Sequence, residues 1–305
     1  MLLHKDKDLF SQLIIDASVY LNIEDRGMIE KDYYITCFLY ELVKRQPDII
    51  FKGGTSLSKC YKIINRFSED IDLSVEPRTD KVTEGQRKKL KKDIQEIIAD
   101  LEFALENPDN VRSRRALNQY IINYHPLIEE GLLSKHLIVE TAVFIKSFPN
   151  ETKEVSSLVY DYLKVQNADS TINMYELKPF NMNVQSLERT FVDKTFAIAD
   201  YYLDGKSIRL SRHIYDLYKI YPQITFNKKF TGLVAEVRKI RKEHNTCLSA
   251  RDGVDLQNIL NKIINENYYK QDYEQITKSM LFEEMPYSKA ITVVSDIIKT
   301  GSFGQ

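Results

Sequence analysis

The chain has 305 residues, of which 29% are charged and 43% hydrophobic, and its formal net charge is −1. That length can hold one large core or two smaller ones, and the balanced charge excludes a surface that is basic throughout, so any nucleic-acid contact must come from local patches. No apolar run approaches the roughly eighteen residues of a membrane span, and the charged His4-Lys5-Asp6-Lys7-Asp8 directly after Met1-Leu2-Leu3 is unlike a signal peptide.

In chain order, 8–22 and 28–46 read as two helices. The apolar run Ile49-Ile50-Phe51 fits a buried strand, and Gly53-Gly54 ends it. Thr55 or Ser56 can then cap a helix whose apolar face is Leu57, Cys60, Tyr61 and Ile64. After Arg66-Phe67-Ser68 the period changes to two. Asp70 and Asp72 alternate with Ile71 and Leu73, which on a strand places both carboxylates on one face.

Each part of this stretch has a chemical use. Two glycines allow close approach of backbone to a phosphate, and a helix start offers unpaired N–H groups. Two carboxylates at this spacing repel each other unless a cation lies between them, and hard oxygen donors suit Mg²⁺ (or Mn²⁺), which typically arrives with substrate phosphates. A P-loop is excluded, because its second glycine before the lysine is missing and Lys59 follows Ser58.

Further along, Arg78 to Lys81 reads as a turn and 81–107 as a long charged helix. Its run from Arg87 to Lys92 has five positive charges, either a solvated face or a phosphate-contacting patch. Tyr120 to Tyr124 and His136 to Ile145 are strand candidates. Glu140 interrupts the second, and an acid in a central strand is unfavourable unless it is paired or metal-bound. His125 and His136 show no metal-ligand spacing. The scattered Cys37, Cys60 and Cys247 read as reduced thiols in helical, apolar contexts, as in a cytosolic protein.

From Glu151 onward the pattern is mostly helical, with one last extended segment at Tyr175 to Pro179. A helix from Ser186 carries Leu187, Phe191, Ile198 and Tyr201 on one stripe, with Lys194 in the remaining slot. Such a lysine either snorkels or reaches into a cleft to neutralise phosphate. Asp216 lies on a second helix, just off the stripe of Leu210, Ile214, Leu217 and Tyr221, and one turn from Arg212, where an i,i+4 ion pair is the plain explanation. Arg238 to Lys242 is a second basic cluster, and amphipathic helices lead to a Gly/Ser tail from Gly301.

The strings F-K-G-G-T-S-L-S-K and R-F-S-E-D-I-D-L resemble the signature of the AbiEii/AbiGii-type nucleotidyltransferase toxins, within the DNA polymerase β-like superfamily. E-K-D-Y-Y (Glu30 to Tyr34), E-R-T-F-x-x-K and R-H-x-Y-D-L are similar to further elements of that family. The local alternative for Glu30 to Tyr34 is a solvated helix start. The resemblance implies transfer of a nucleoside monophosphate from an NTP to an acceptor hydroxyl, with a tRNA 3′ end as acceptor and a cognate antitoxin as partner. It implies catalytic roles for Asp70, Asp72, Lys194 and Asp216. It places nucleotide contacts at Gly53, Gly54, Thr55, Ser56, Lys59, Arg66 and Ser68, and makes Glu140 the candidate third metal carboxylate beside Asp70 and Asp72. Glu188, Arg189, Arg212 and His213 are secondary candidates. The expected architecture is α/β, with a mixed-sheet domain over 1–180 and a helical domain over 181–305 that completes the active cleft. The other readings are a nucleotidyltransferase acting on a small substrate such as an antibiotic, or an idle module that binds nucleotide or a partner protein.

Overall fold

The structure, a computed structural model, describes residues 2–75, 82–115, 117–128, 135–143 and 147–304. The turn expected at Arg78 to Lys81 and the end of the strand expected to reach Ile145 lie outside these residues. The chain forms two compact units, one of 1–62 and 67–184, the other of 63–66 and 185–305.

The first unit is built on a seven-stranded mixed sheet. Its strands are β1 (Ile49–Lys52), β2 (Asp70–Val75), β3 (Ala104–Leu105), β4 (Leu117–Asn123), β5 (His136–Ala142), β6 (Asn150–Val155) and β7 (Phe180–Gln185), in the order β3-β4-β5-β2-β1-β7-β6. The centre is β1 paired antiparallel to β2, flanked by parallel β7 and β5. The alternation in β2 does what its period demands. Ile71 and Leu73 are fully buried, as are Leu137 and Val139 of β5, while Asp70, Asp72 and Glu140 on the other face are half-buried. Fully burying such an aliphatic side chain contributes roughly 1.5–3 kcal/mol, which fixes the register and so the face of the acids.

Helices α1 (Lys7–Leu21), α2 (Arg26–Arg45), α3 (Gly53–Lys59), α4 (Glu84–Asp100), α5 (Leu158–Val165) and α6 (Asp169–Met174) complete this unit. Two of these bounds, and two of the strands, depart from the sequence expectation. Helix α3 stops at Lys59 instead of running to Ile64, because Lys62 adopts φ 53° and Ile63–Arg66 pack in the other unit. Helix α4 ends at Asp100, well short of 107. There Glu102 turns left-handed at φ 59°, Phe103 N–H bonds back to the Ile98 carbonyl, and Ala104–Leu105 enter the sheet. The stretch after Glu151 begins with strand β6, and the last strand is Phe180–Gln185, not Tyr175 to Pro179.

The second unit is helical: α7 (Leu187–Leu203), α8 (Arg212–Ile220), α9 (Lys228–Lys242), α10 (Leu256–Asn265) and a final helix, Thr292–Lys299. Ser186 caps α7 by accepting from Arg189 N–H. Phe191 and Phe196 of α7 meet Phe303, so the expected Gly/Ser tail is tied down in an aromatic core, and Phe303 is 1% exposed. The segment Ile63–Arg66 belongs here by its bonds: Asn65 N–H donates to Tyr215 Oη, and the Asn65 carbonyl accepts from Phe282 N–H. No helix among the described residues is long and apolar enough to cross a membrane.

Candidate functional site

In the first unit the glycine turn and the acidic strand form one construction. Lys52, Asp72 and Glu140 are direct partners across β1, β2 and β5, so they form a row on one face, with Asp70 two residues along the same strand. Gly53 follows Lys52 with φ +76°, a left-handed conformation that favours glycine. The Asp72 carboxylate sits directly over it: a Cβ at position 53 would lie 1.9 Å from Asp72 Oδ2. The turn therefore lets a carboxylate rest against the backbone.

The hydroxyls of the motif face inward. Thr55 Oγ1 donates to the Asp70 carbonyl at 2.5 Å and lies 3.0 Å from Ser68 Oγ, while Ser56 Oγ donates to the Gly53 carbonyl at 2.9 Å. These bonds join α3 to β2 and fix where the acids point. Lys59 is equally occupied. Its ammonium pairs with Asp32 at 2.6 Å and donates to Thr36 Oγ1 and the Ser156 carbonyl, and it is 4% exposed. Thr55, Ser56, Lys59 and Ser68 thus hold the site's frame with their side chains.

Glu30 to Asp32, for which the local alternative is a solvated helix start, lie one turn inside α2 and are not solvated. All three charges are buried and each has a specific mate. Glu30 accepts from Leu127 and Ile128 N–H, Lys31 pairs with Glu69 at 3.0 Å, and Asp32 takes Lys59 and Leu158 N–H. Those mates lie 27 or more residues away, so a local reading could not see them. Through Glu69 and Lys59, helix α2 braces both ends of the unit formed by α3 and β2.

The donor set of Asp70, Asp72 and Glu140 is all hard oxygen on one sheet face, which fits Mg²⁺ or Mn²⁺. Glu140 Oε1 accepts from Gln119 Nε2 at 2.9 Å. Among the described residues no three His, Cys, Asp or Glu side chains already converge on a metal position. The thiols add nothing to this chemistry: burial pushes Cys37 and Cys60 up to about 12, so both stay protonated.

The second unit contains a separate charged centre. Asp216 is fully buried on α8, and its carboxylate accepts from Arg66 Nε at 2.7 Å and Arg66 Nη2 at 2.8 Å, a two-pronged grip. Lys194 of α7 lies 2.7 Å from Asp216 Oδ2 and 3.3 Å from His213 Nδ1. The partners that hold Asp216 thus come from 22 and 150 residues away in sequence, not from the next turn of its own helix. Burial alone would raise the Asp216 carboxyl, but Arg66 and Lys194 outweigh it and hold the group well below the usual carboxylate range. Burial and the neighbouring Arg66 and Arg212 lower Lys194, against the support of Asp216. Two cations thus grip one buried carboxylate.

Arg66, expected to touch nucleotide, is 2% exposed and engaged with Asp216. Arg189 is fully buried and donates to Asp193, whereas Glu188 is exposed. The basic clusters have partners within the protein, although in the first the ion pairs lie along a single helix and their lysines are exposed. In the first, Lys88 pairs with Glu84, Lys89 with Asp93 and Lys92 with Glu96, while Lys91 and Arg87 donate to carbonyls. In the second, Arg241 pairs with Asp193 and Asp200, Lys242 with Asp252, and Arg238 donates to the Phe303 carbonyl. Lys52, beside Asp72, is a residue that the sequence reading passed over, although it stands inside the F-K-G-G string.

A family model described as the nucleotidyl transferase AbiEii toxin of type IV toxin–antitoxin systems matches residues 37–294. No curated protein matches the chain. Among solved structures it is distantly similar to JHP933 from Helicobacter pylori (14% identity, 86% of this chain and 88% of the other, TM-score 0.44). It is similarly distant from a candidate nucleotidyltransferase of H. pylori (14% identity, 86% and 90% covered, TM-score 0.45).

Proposed function

Because the chain belongs to the AbiEii nucleotidyltransferase toxin family, we propose that it transfers a nucleoside monophosphate from an NTP to the 3′-terminal hydroxyl of an RNA, a tRNA end, with release of pyrophosphate. The observation that carries this reading is the Asp72 carboxylate seated over Gly53 and in register with Glu140, two residues from Asp70. Such a face brings carboxylates to a backbone that phosphate can approach.

Asp70 and Asp72, with Glu140 as the third carboxylate, would hold Mg²⁺ or Mn²⁺. When bound, the metal supplies Lewis-acid polarisation of phosphoryl oxygens and charge neutralisation on the triphosphate. The chain's own residues do the rest. The Gly53-Gly54 backbone admits the phosphates. Thr55, Ser56 and Ser68 keep the turn and strand in place through the bonds given above, and Lys59 with Asp32 anchors the end of α3. Lys194 offsets negative charge as the bond from the α-phosphorus to the bridging oxygen breaks and pyrophosphate departs, an electrostatic contribution of the kind that dominates such reactions. Asp216 and Arg66 orient Lys194. In this reading the roles of Thr55, Ser56, Lys59, Arg66 and Ser68 are positional.

The family implies an antitoxin partner, and we place the protein in the cytoplasm, where NTP and tRNA meet. Incubating the protein with Mg²⁺, total RNA and each α-labelled NTP should put label on RNA 3′ ends. Binding should weaken steeply between roughly 50 and 200 mM KCl, because each phosphate contact releases counterions. Label on a small hydroxyl compound and never on RNA would replace the acceptor. No transfer with any NTP would overturn the reading.

A further inference from the structure

A lysine ammonium has three N–H groups and full rotation about its last bond, so one partner alone leaves it free to swing. Asp216 supplies one fixed partner to Lys194, because the planar fork of Arg66 holds the carboxylate from the other side. The second partner is His213, three residues before Asp216 on α8 and so on the same face of that helix. Its Nδ1 is 3.3 Å from Lys194 Nζ. An ammonium can only donate, so at this nitrogen the imidazole must accept, which requires the neutral form with its proton on Nε2. The surroundings enforce that form: Lys194 and Tyr201 face the ring from α7, Arg212 and Asp216 lie on its own helix, and Arg66 stands behind the carboxylate. Burial first, then Lys194 and Arg212, lower His213 well below its ordinary value. The ring itself is oriented by stacking on Tyr201, with centroids 5.8 Å apart and planes 17° from parallel. Among the described residues, Asp216 and His213 are the side-chain partners of Lys194, so one N–H is left over.

We infer that His213 is a positioning residue: its Nδ1 takes one N–H of Lys194, Asp216 takes another, and the third is thereby aimed at a phosphate of the NTP. This rests on the role given to Lys194 under Proposed function. It assigns His213 no proton transfer and no contact with substrate.

Two variants of the full chain separate hydrogen bonding from packing. His213→Phe keeps a ring to stack on Tyr201 and removes the acceptor, whereas His213→Asn removes the ring and keeps an acceptor near the place of Nδ1. In NTP transfer to RNA, His213→Phe should lose on the order of 10- to 100-fold in kcat with a smaller change in KM, as expected when a transition-state contact is misaligned. His213→Asn should stay within a few-fold of wild type. The opposite order, Asn impaired and Phe active, would show that the ring acts by packing and would overturn the inference, as would equal activity of all three. Crystal structures of the two variants give a second readout that needs no activity. Lys194 Nζ should keep its place in His213→Asn and leave it in His213→Phe, and an unmoved lysine in His213→Phe would also overturn it. If wild type transfers nothing, the reading of Lys194 fails on that result, while the crystallographic comparison still decides whether His213 positions the lysine.

Discussion

Replacing Gly53 by alanine separates the stability of the glycine turn from its function. Two effects follow from the geometry. The first is backbone: at φ +76° an alanine is less favourable than glycine by roughly 1–2 kcal/mol. The second is contact: the new Cβ would lie 1.9 Å from Asp72 Oδ2 and 2.8 Å from its Cγ, against ordinary contact from 3.4 Å, so the carboxylate oxygen must retreat by about 1.5 Å. The oxygen and Cγ belong to a side chain that can turn, and Asp72 Cβ, at 3.1 Å, must give by a few tenths of an ångström, so the contact adds modestly to the loss of stability. It is costly for catalysis, because a displacement of about 1 Å at a reacting centre can reduce rates by ~10²-fold. Gly53→Ala should therefore unfold in urea with only that modest loss while NTP transfer falls about a hundredfold or more. The pair Gly53→Ala and Asp72→Ala should be non-additive in stability, since the second change removes what the first one strikes. Near-wild-type turnover in a folded Gly53→Ala protein would refute the argument that Asp72 must rest on this backbone.

Other consequences are equally direct. Asp216→Asn leaves Arg66 and Lys194 buried without their counter-charge, and melting or urea curves should report a loss of about 3–5 kcal/mol. Because the Asp216 carboxyl is held low, its contribution is present above the ordinary carboxylate pKa of about 4 and is lost as pH falls below that; the acid limb of stability should be shallower in Asp216→Asn. His4 works at a higher pH: burial, then Lys5, lowers it to about 4, so the unfolded chain binds its proton first and stability should fall as pH drops from about 6.5 towards 4. His4→Gln should flatten that part of the curve. Lys31→Met strands Glu69 beside the acidic strand, and both stability and transfer should suffer.

What could be read from the sequence was whatever repeats with a local period. The alternation of Asp70, Ile71, Asp72 and Leu73 gave the strand and its faces, and the spacing of Phe191, Lys194 and Ile198 gave helix α7 with a lysine among apolar residues. The strand with Phe180, Met182 and Val184 has the same alternation, but the segment just before it, Tyr175 to Pro179, competes as the extended one. Strand β6 had no such signal: Asn-Glu-Thr-Lys-Glu-Val lies at the sheet edge, largely exposed, and its polar run looks like a loop. Long-range pairing was out of reach. Nothing local says that Arg66 closes on Asp216 or that Lys59 is spent on Asp32, whereas the acid partners of the first basic run, such as Asp93 for Lys89, lie one helical turn away. The motif residues can be named from the sequence, but which of their side chains are taken up in the fold's own bonds is visible only after folding.

On the proposed reading, the face of Asp70 and Asp72 supports metal-dependent nucleotidyl transfer. Its most direct test follows the fate of two labels in parallel, one on the α-phosphorus and one on the γ-phosphorus of the NTP, with Mg²⁺ and RNA. Wild type should place the α label on RNA and release the γ label as pyrophosphate. Asp72→Asn, with an unchanged circular dichroism spectrum, should do neither. The γ label on RNA would mean phosphoryl transfer, and full activity of Asp72→Asn would mean that the reaction, whatever it is, occurs elsewhere.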